Sequence, residues 1–484
     1  MKHMMIDGIK CEFDAERNVL EVALRNHIDI PNLCYCEKLS VYGGCRLCIV
    51  ETDKGVIDAA CSLLPQEGMA IRTNTPRLRK NRQMILEMLL ASHRAECTTC
   101  EKSGRCKLQA YAKRYGIKKV RFANTYSKAP VDNSSPAVIR DPSKCVLCGN
   151  CVRMCAEIQG IRAIDFAGHG SSTRVSGGLG RRLSETDCVS CGLCATVCPT
   201  GALVVKNEVS ELWKAIFDSG KKVAALISPA VGDTGKLITA LKTIGVDYAF
   251  DISAAADLAI CEFADELKNA DKRPLITASC PAAVKFIEKR HPELLPQLST
   301  CASPMAMMAA VLRRFYGDEE LYCCAIMPCT ATKMESGRPE LVKDDERLVD
   351  LVLTTSELED IISEAGVELD RLAPSAPDAP FDTYSDAGRA FALTGDISDS
   401  LRLHTGDDAL KVTVVSGLKN AEELISAGIP DSDVVVIRGC PEGCSDKPFG
   451  KPGEFKVPDD NPSMVNVESL IRFGRKNLLH IELQ

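Results

Sequence analysis

The chain has 484 residues, 45% of them apolar and 26% charged, the balance of a folded protein of about three or four domains, so disorder as its main state is excluded. A net charge of −7 leaves no broad basic field for a nucleic-acid backbone, and the longest apolar runs, such as Val223–Ile227, fall far short of the ~20 residues that insert into a membrane. The first residues lack the apolar stretch of a secretory signal, so a cytoplasmic chain is expected, and 25 cysteines in such a chain point to metal or redox chemistry rather than a disulfide scaffold.

Taken in chain order, Val19–Leu24 reads as a helix start and Ile28–Cys36 as a loop. Arg46–Leu64 reads as two short strands around a turn at Asp53-Lys54-Gly55. Within this stretch Cys34, Cys45, Cys48 and Cys61 have the spacing C-x10-C-x2-C-x12-C, in outline a plant-type [2Fe–2S] arrangement. Three thiolates converge from one long loop and the fourth comes from a distant strand. A zinc site is the rival reading, and Cys36 is a spare thiol. A helix is predicted over Pro76–His93, with Thr75 as N-cap and Pro76 at its first position. It leads into His93, Cys97, Cys100 and Cys106, spaced H-x3-C-x2-C-x5-C. A neutral His in place of an anionic Cys shifts the charge and potential of a cluster. By itself this quartet also suits zinc.

Cys145, Cys148, Cys151 and Cys155 form C-x2-C-x2-C-x3-C, and Cys188, Cys191, Cys194 and Cys198, followed by Pro199, repeat it. Two such runs make a bacterial two-cluster ferredoxin, in which the fourth Cys of each run ligates the other run's cluster. One [4Fe–4S] set is therefore Cys145, Cys148, Cys151 and Cys198, and the other is Cys188, Cys191, Cys194 and Cys155. Gly168–Gly180, between the runs, is most simply a loop. From about residue 208 strand and helix patterns alternate. Val223–Ile227, Tyr248–Ile252, Pro274–Ala278, Leu321–Met327, Lys411–Val415 and Asp433–Ile437 read as buried strands. Ala255–Ala270, Ser303–Phe315 and Leu418–Gly428 read as helices. This alternation implies α/β layering with mostly parallel sheets, whose ligands sit at the carboxyl ends of strands. Ala373–Asp386 reads as a surface loop and Lys113–Arg121 as a solvated helix end.

Three cysteine-bearing segments follow strands: T-A-S-C-P at Thr277–Pro281, M-P-C-T-A-T-K-M-E at Met327–Glu335 and G-C-P-E-G-C at Gly439–Cys444. With Ser228–Val231, Leu298–Met305 and Val414–Ala421 in the same order, they resemble the signature segments of the [FeFe]-hydrogenase catalytic domain. The first two quartets resemble the [2Fe–2S] domain and adjoining [4Fe–4S] module of complex I large subunits and [FeFe]-hydrogenases. The resemblance covers nearly the whole chain. It implies a multidomain α+β and α/β fold. A β-grasp [2Fe–2S] domain would span 1–75, and a small helical [4Fe–4S] domain with one His and three Cys ligands 76–120. A two-cluster ferredoxin domain would span 121–207 and a hydrogenase-like H-cluster domain 208–484. The resemblance also implies that Cys280, Cys329, Cys440 and Cys444 hold a [4Fe–4S] cube. Cys444 matches the ligand that bridges to a diiron unit carrying CO, cyanide and a dithiolate.

The surroundings of that unit depart from the family. Ser279 replaces the cysteine that serves as terminal proton donor, and Phe263 stands where a glutamate is aligned. Glu335 and Ser299 match relay positions, and Glu266 matches a nearby acid. Thr332 replaces a lysine that hydrogen-bonds cyanide, and Lys333, one residue on, is expected to point elsewhere. Arg438 replaces a methionine over the pocket, Asp396 a glycine, Ala283 a tryptophan, and Ser445–Phe449 a glycine-rich stretch. Several departures around one pocket, with the cube ligands kept, suggest an iron–sulfur electron-transfer subunit. It would carry one [2Fe–2S] and four [4Fe–4S] clusters and no working diiron site. The chain shows no nucleotide fingerprint or flavin motif. Electrons are therefore expected from flavin/NAD-binding partners resembling complex I subunits. They would pass to a redox subunit such as a formate dehydrogenase, or to ferredoxin, in a hetero-oligomeric, electron-bifurcating complex. The rival readings are an active [FeFe]-hydrogenase and a hydrogen sensor. Six cysteines stay outside the quartets: Cys11, Cys36, Cys261, Cys301, Cys323 and Cys324. The last two read as strand core.

Overall fold

The structure is a computed structural model that describes residues 2–270, 273–317, 320–343, 346–441 and 444. It divides into two units. The first holds the chain up to residue 158 with 162–186 and 193–204; the second holds 159–161, 187–192 and the chain from 205 onward.

In the first unit, Met4 and Ile6 point inward along β1 (Lys2–Ile6), and Cys11 and Phe13 along β2 (Ile9–Phe13). The two strands pair antiparallel across Asp7 and Gly8, whose φ angles are 50° and 84°. A two-residue hairpin needs positive φ at both positions. The sequence reading overlooked this hairpin, although Asp-Gly is its signal. Helix α1 (Val19–Arg25) is capped by the Asn18 side chain and buries Val19, Leu20, Val22 and Ala23. Strands β3 (Ile49–Thr52), β4 (Ile57–Ala59) and β5 (Ala70–Arg72) complete a sheet of order β2-β1-β5-β3-β4. A mixed sheet carrying one helix is the predicted β-grasp layout.

Helix α2 (Pro76–Ala91) starts where predicted, with the Thr75 hydroxyl accepting from the Leu78 N–H at 3.3 Å. Arg82, 1% exposed, fastens this helix to the sheet. Its guanidinium donates to the carbonyls of Leu47 (3.0 Å), Thr73 (2.7 Å) and Ile49 (2.5 Å), and to the Tyr115 hydroxyl (3.2 Å) beyond α3 (Lys107–Arg114). The stretch read as a loop at Gly168–Gly180 is partly strand. β6 (Ile164–Ala167) pairs antiparallel with β7 (Arg174–Gly177), burying Ile164 and Val175. Glycine and serine on both flanks hid so short a strand.

In the second unit every predicted strand forms. β8 (Lys222–Ile227), β9 (Tyr248–Asp251), β11 (Leu321–Met327) and β12 (Leu351–Thr354) make a parallel sheet of order β9-β8-β11-β12. β10 (Leu275–Ile276), β13 (Val412–Ser416) and β14 (Val434–Arg438) make a second parallel sheet of order β10-β14-β13. Strands buried on both faces read as continuous apolar runs. Cys323 and Cys324 are buried in β11, as expected. Helix α4 (Ser253–Asn269) is buried without interruption from Ser253 to Ala264, and α6 (Pro304–Phe315), following α5 (Pro281–Arg290), from Pro304 to Leu312. The segment Ala373–Asp386 is more than a surface loop. Phe381 is fully buried, edge-on to Phe250 at 6.4 Å between ring centroids, and Ser385 caps the next helix. A single apolar anchor in a Pro/Ala/Asp-rich stretch carries no periodic signal. Among the described residues no helix is long and apolar enough to cross a membrane.

Arg82→Met keeps the aliphatic stem but leaves three buried carbonyls without their donor. The expected loss is about 3 kcal/mol or more, read by denaturant unfolding of the first unit's β-grasp signal in the full chain.

Candidate metal centres

In the first unit, Cys34, Cys45, Cys48 and Cys61 are all buried. The Cys34 sulfur accepts from the Cys45 N–H and the Cys45 sulfur from the Leu33 N–H, each at 3.4 Å. The thiols meet in two pairs. The hydrogen bond with Cys34 brings Cys45 down to about 6 while Cys34 rises, and Cys61 falls through its bond with Cys48, which rises. Within each pair the hydrogen bond favours the thiolate of one cysteine, and thiolates are what iron binds.

His93 is buried, and burial pulls its pKa down, so the ring is neutral. Its Nδ1 lies 2.9 Å from the Lys144 carbonyl. The N–H therefore sits on Nδ1, and Nε2 keeps a lone pair for a metal. His93, Cys97, Cys100, Cys106 and Gly201 line one small cavity. Cys145, Cys148, Cys151 and Cys198 line another, and burial raises the first three, Cys145 to about 11 and Cys148 to about 12. The two cysteine runs share a backbone pattern. Leu147 and Ser190 stand at φ 53° and 57°, and Gly149 and Gly192 at φ 70° in both. Such turns aim successive N–H groups inward, and the Leu147 N–H reaches the Cys145 sulfur at 3.4 Å. Of the second set, Cys155 and Cys194 belong to the first unit, Cys188 and Cys191 to the second. The Ala163 N–H donates to the Cys155 sulfur at 3.3 Å.

In the second unit, Cys280 follows β10 and precedes α5, Cys329 lies between β11 and α7 (Ala331–Glu335), and Cys440 follows β14. The carboxyl ends of both parallel sheets therefore deliver thiols to one place. With Cys444 they line a cavity that Ser279, Thr332, Glu335 and Cys191 also line. The Gly439 N–H donates to the Cys280 sulfur at 3.2 Å and the Ala331 N–H to the Cys329 sulfur at 3.3 Å. A Cβ on Gly395 would stand 2.6 Å from the Cys444 sulfur, so that position requires glycine. Burial raises all four thiols, Cys329 to about 12. Such protons come off only when a cation takes their place, so the donor set fits an iron–sulfur cluster. Among the described residues no His, Cys, Asp and Glu group is drawn tightly enough to hold a single ion.

The expected relay is split. Ser299 donates to Glu266, which also holds the Thr300 N–H at 2.8 Å. Ser299, Thr300, Cys301 and Arg338 line a second, smaller cavity, and Glu335 lines both cavities. Burial pushes Glu335 up to about 7, and its Oε2 finds no partner among the described residues. Ser279 faces the larger cavity, but Phe263 is packed into the core. Lys333 does point elsewhere. Its ammonium is held 2.9 Å from Glu208 and from Glu357, and 3.1 Å from the Lys206 carbonyl. Thr332 turns its hydroxyl back to the Cys329 carbonyl at 2.5 Å. Arg438 does not fill the cavity. It donates to the Ser416 hydroxyl at 2.7 and 3.0 Å and lies 3.9 Å from Asp396. The expectation for Ser445–Phe449 lies outside the described residues. Sequence reasoning missed Gln159, which donates to the Gly439 carbonyl at 2.9 Å, and Gly201. Neither carries a spacing signal.

Fold and donor sets together define an iron–sulfur oxidoreductase. Residues 222–448 match the family described as "Iron only hydrogenase large subunit, C-terminal domain". Residues 82–121 match "NADH-ubiquinone oxidoreductase-G iron-sulfur binding region", 3–76 a "2Fe-2S iron-sulfur cluster binding domain" and 144–202 a "4Fe-4S dicluster domain". The NADP-reducing hydrogenase subunit HndD of Solidesulfovibrio fructosivorans is 31% identical over 512 residues, 92% of this chain and 88% of that protein. Iron hydrogenase 1 of Clostridium pasteurianum is 29% identical over 91% of this chain and 82% of its own length. The NADH-ubiquinone oxidoreductase 75 kDa subunit of Reclinomonas americana is 33% identical over 43% of this chain and 30% of its own length. The chain belongs to the iron-only hydrogenase family, with complex I-type iron–sulfur modules in its N-terminal half.

Glu335 binds its proton more tightly folded than unfolded, so its contribution is fully present below pH about 4.5 and is lost as pH rises to about 7. Glu335→Gln should remove that slope. At about pH 8 the variant should unfold at a higher temperature than the parent, by up to about 3 kcal/mol in stability, and the two should converge near pH 4.

Proposed function

We propose that this chain is an iron–sulfur electron-transfer subunit. It would receive electrons from flavin/NAD-binding subunits and pass them to a redox subunit such as a formate dehydrogenase, or to ferredoxin. An electron-bifurcating complex is the setting this reading favours. Cys34, Cys45, Cys48 and Cys61 would hold a [2Fe–2S] cluster, and His93 with Cys97, Cys100 and Cys106 a [4Fe–4S] cluster. The two ferredoxin-type sets and the quartet Cys280, Cys329, Cys440 and Cys444 would hold three more. When bound, such clusters supply one-electron stations. The protein's residues bury them, place them and donate hydrogen bonds to their sulfurs, which sets their potentials.

The observation that carries the absence of a working diiron site is the burial of Lys333 between Glu208 and Glu357. No ammonium is then offered to the cavity from α7, and the Thr332 hydroxyl is spent on the Cys329 carbonyl. Phe263 and Ser279 add to this. Phe carries no transferable proton, and a serine hydroxyl is far from the operating pH at which a relay is efficient. One observation favours the rival reading of an active hydrogenase: Glu335, raised to about 7 and with one oxygen unpartnered among the described residues, lines both cavities.

Infrared spectroscopy of protein made anaerobically with hydrogenase maturation factors tests the proposal. The expected spectrum lacks intrinsic CO and cyanide stretches while the iron–sulfur clusters are full. Their presence overturns it, and a hydrogen assay then measures the activity.

A further inference from the structure

Cys198 is followed by Pro199-Thr200-Gly201, and each of these three residues reaches the neighbouring site built on His93. The Pro199 carbonyl accepts from the N–H of Lys107, the residue after Cys106, at 3.0 Å. That N–H opens α3 and has no partner within the helix. The Thr200 hydroxyl, 1% exposed, lies 2.9 Å from the Lys144 carbonyl, the same oxygen that receives the His93 Nδ1–H at 2.9 Å. It also lies 3.8 Å from the Cys198 sulfur. Gly201 lines the His93 cavity, and a Cβ there would stand 2.6 Å from the Cys100 sulfur. The Arg94 N–H, beside His93, closes the seam on the Ser143 carbonyl at 2.8 Å.

We propose that Thr200 and Gly201, part of the Cys145/Cys198 ferredoxin motif by sequence, are positioning residues of the His93/Cys97/Cys100/Cys106 cluster, forming a wall shared by the two sites. This rests on the reading of those quartets as cluster ligands. Thr200 has one hydroxyl proton and two acceptors in reach. On the Lys144 carbonyl it competes with His93 and weakens the imidazole's hydrogen bond. On the Cys198 thiolate it withdraws charge from the other cluster. The shorter contact, 2.9 Å, puts the proton on the Lys144 carbonyl. Removing the hydroxyl then strengthens the His93 bond and makes the imidazole, and the cluster it would hold, more electron-rich and harder to reduce. Gly201 acts through space: only a residue without Cβ lets the Cys100 sulfur keep its place.

The test is redox-poised EPR on the anaerobic, cluster-loaded full chain, with Cys97→Ser marking the signal of the His93 site. Thr200→Val should lower that signal's reduced-to-oxidised ratio at fixed potential at least threefold, and Thr200→Ser should restore it. Gly201→Ala should change the signal's g values or abolish it while the [2Fe–2S] signal persists. If Gly201→Ala prevents folding, the Thr200 pair decides. A Thr200→Val protein that titrates within threefold of the parent, or a Thr200→Ser protein that fails to restore it, overturns the proposal. If Cys97→Ser removes no signal from the parent, the ligand reading itself is wrong, an outcome distinct from variants that leave an existing signal unmoved.

Discussion

A charged sulfur taken out of water costs several kcal/mol unless cations or hydrogen-bond donors face it, and the fold meets that constraint at every cysteine quartet. The donors are backbone N–H groups, because only the main chain can be aimed by the turn that carries the ligand. Cys45, Leu33, Leu147, Ala163, Ala331 and Gly439 each turn an N–H onto a ligand-type sulfur. Aiming those groups needs left-handed backbone at Leu147, Gly149, Ser190 and Gly192. It also needs bare Cα positions at Gly201 and Gly395. The sheets and helices serve to deliver these turns.

The large cavity of the second unit gathers four thiols and places Ser279, Thr332 and Glu335 beside them. Two departures prove to be one. Arg438 and Asp396 stand 3.9 Å apart, and Arg438 is anchored on Ser416. Its charge is thereby satisfied along the rim rather than inside. A guanidinium left in an apolar cavity of this kind would be very costly, so the rim partners explain how the substitution is tolerated. Glu335 shows the opposite case. It is buried with one oxygen unpartnered among the described residues, and burial holds its proton on.

Ligand spacing was legible because a cluster gathers its thiols from short runs whose length its own size dictates. The parallel strands were legible because both faces are buried. What could not be read were contacts between distant segments. Lys333 takes its partners from residues 206, 208 and 357, and no local pattern announces that they converge. Gln159 reaches Gly439, 280 positions away, with nothing in its neighbourhood to mark it. Phe381 looked like part of a polar loop because one aromatic gives no period. The Asp7-Gly8 hairpin is different: its signal is local, two adjacent residues at positive φ between short alternating strands.

The lock on Lys333 decides how the helix beside Cys329 presents charge. Successive residues on a helix are turned by about 100°, so a lysine at Thr332 would add a second ammonium beside a helix whose first is already committed to Glu208 and Glu357. Removing Lys333 would take the ammonium from Glu357, which is almost fully buried and would keep, among the described residues, only the Glu208 N–H and the Thr354 donors. The ion triad thus couples the helix beside Cys329 to segments far away in sequence, so that a change on that helix is felt outside the cavity it borders.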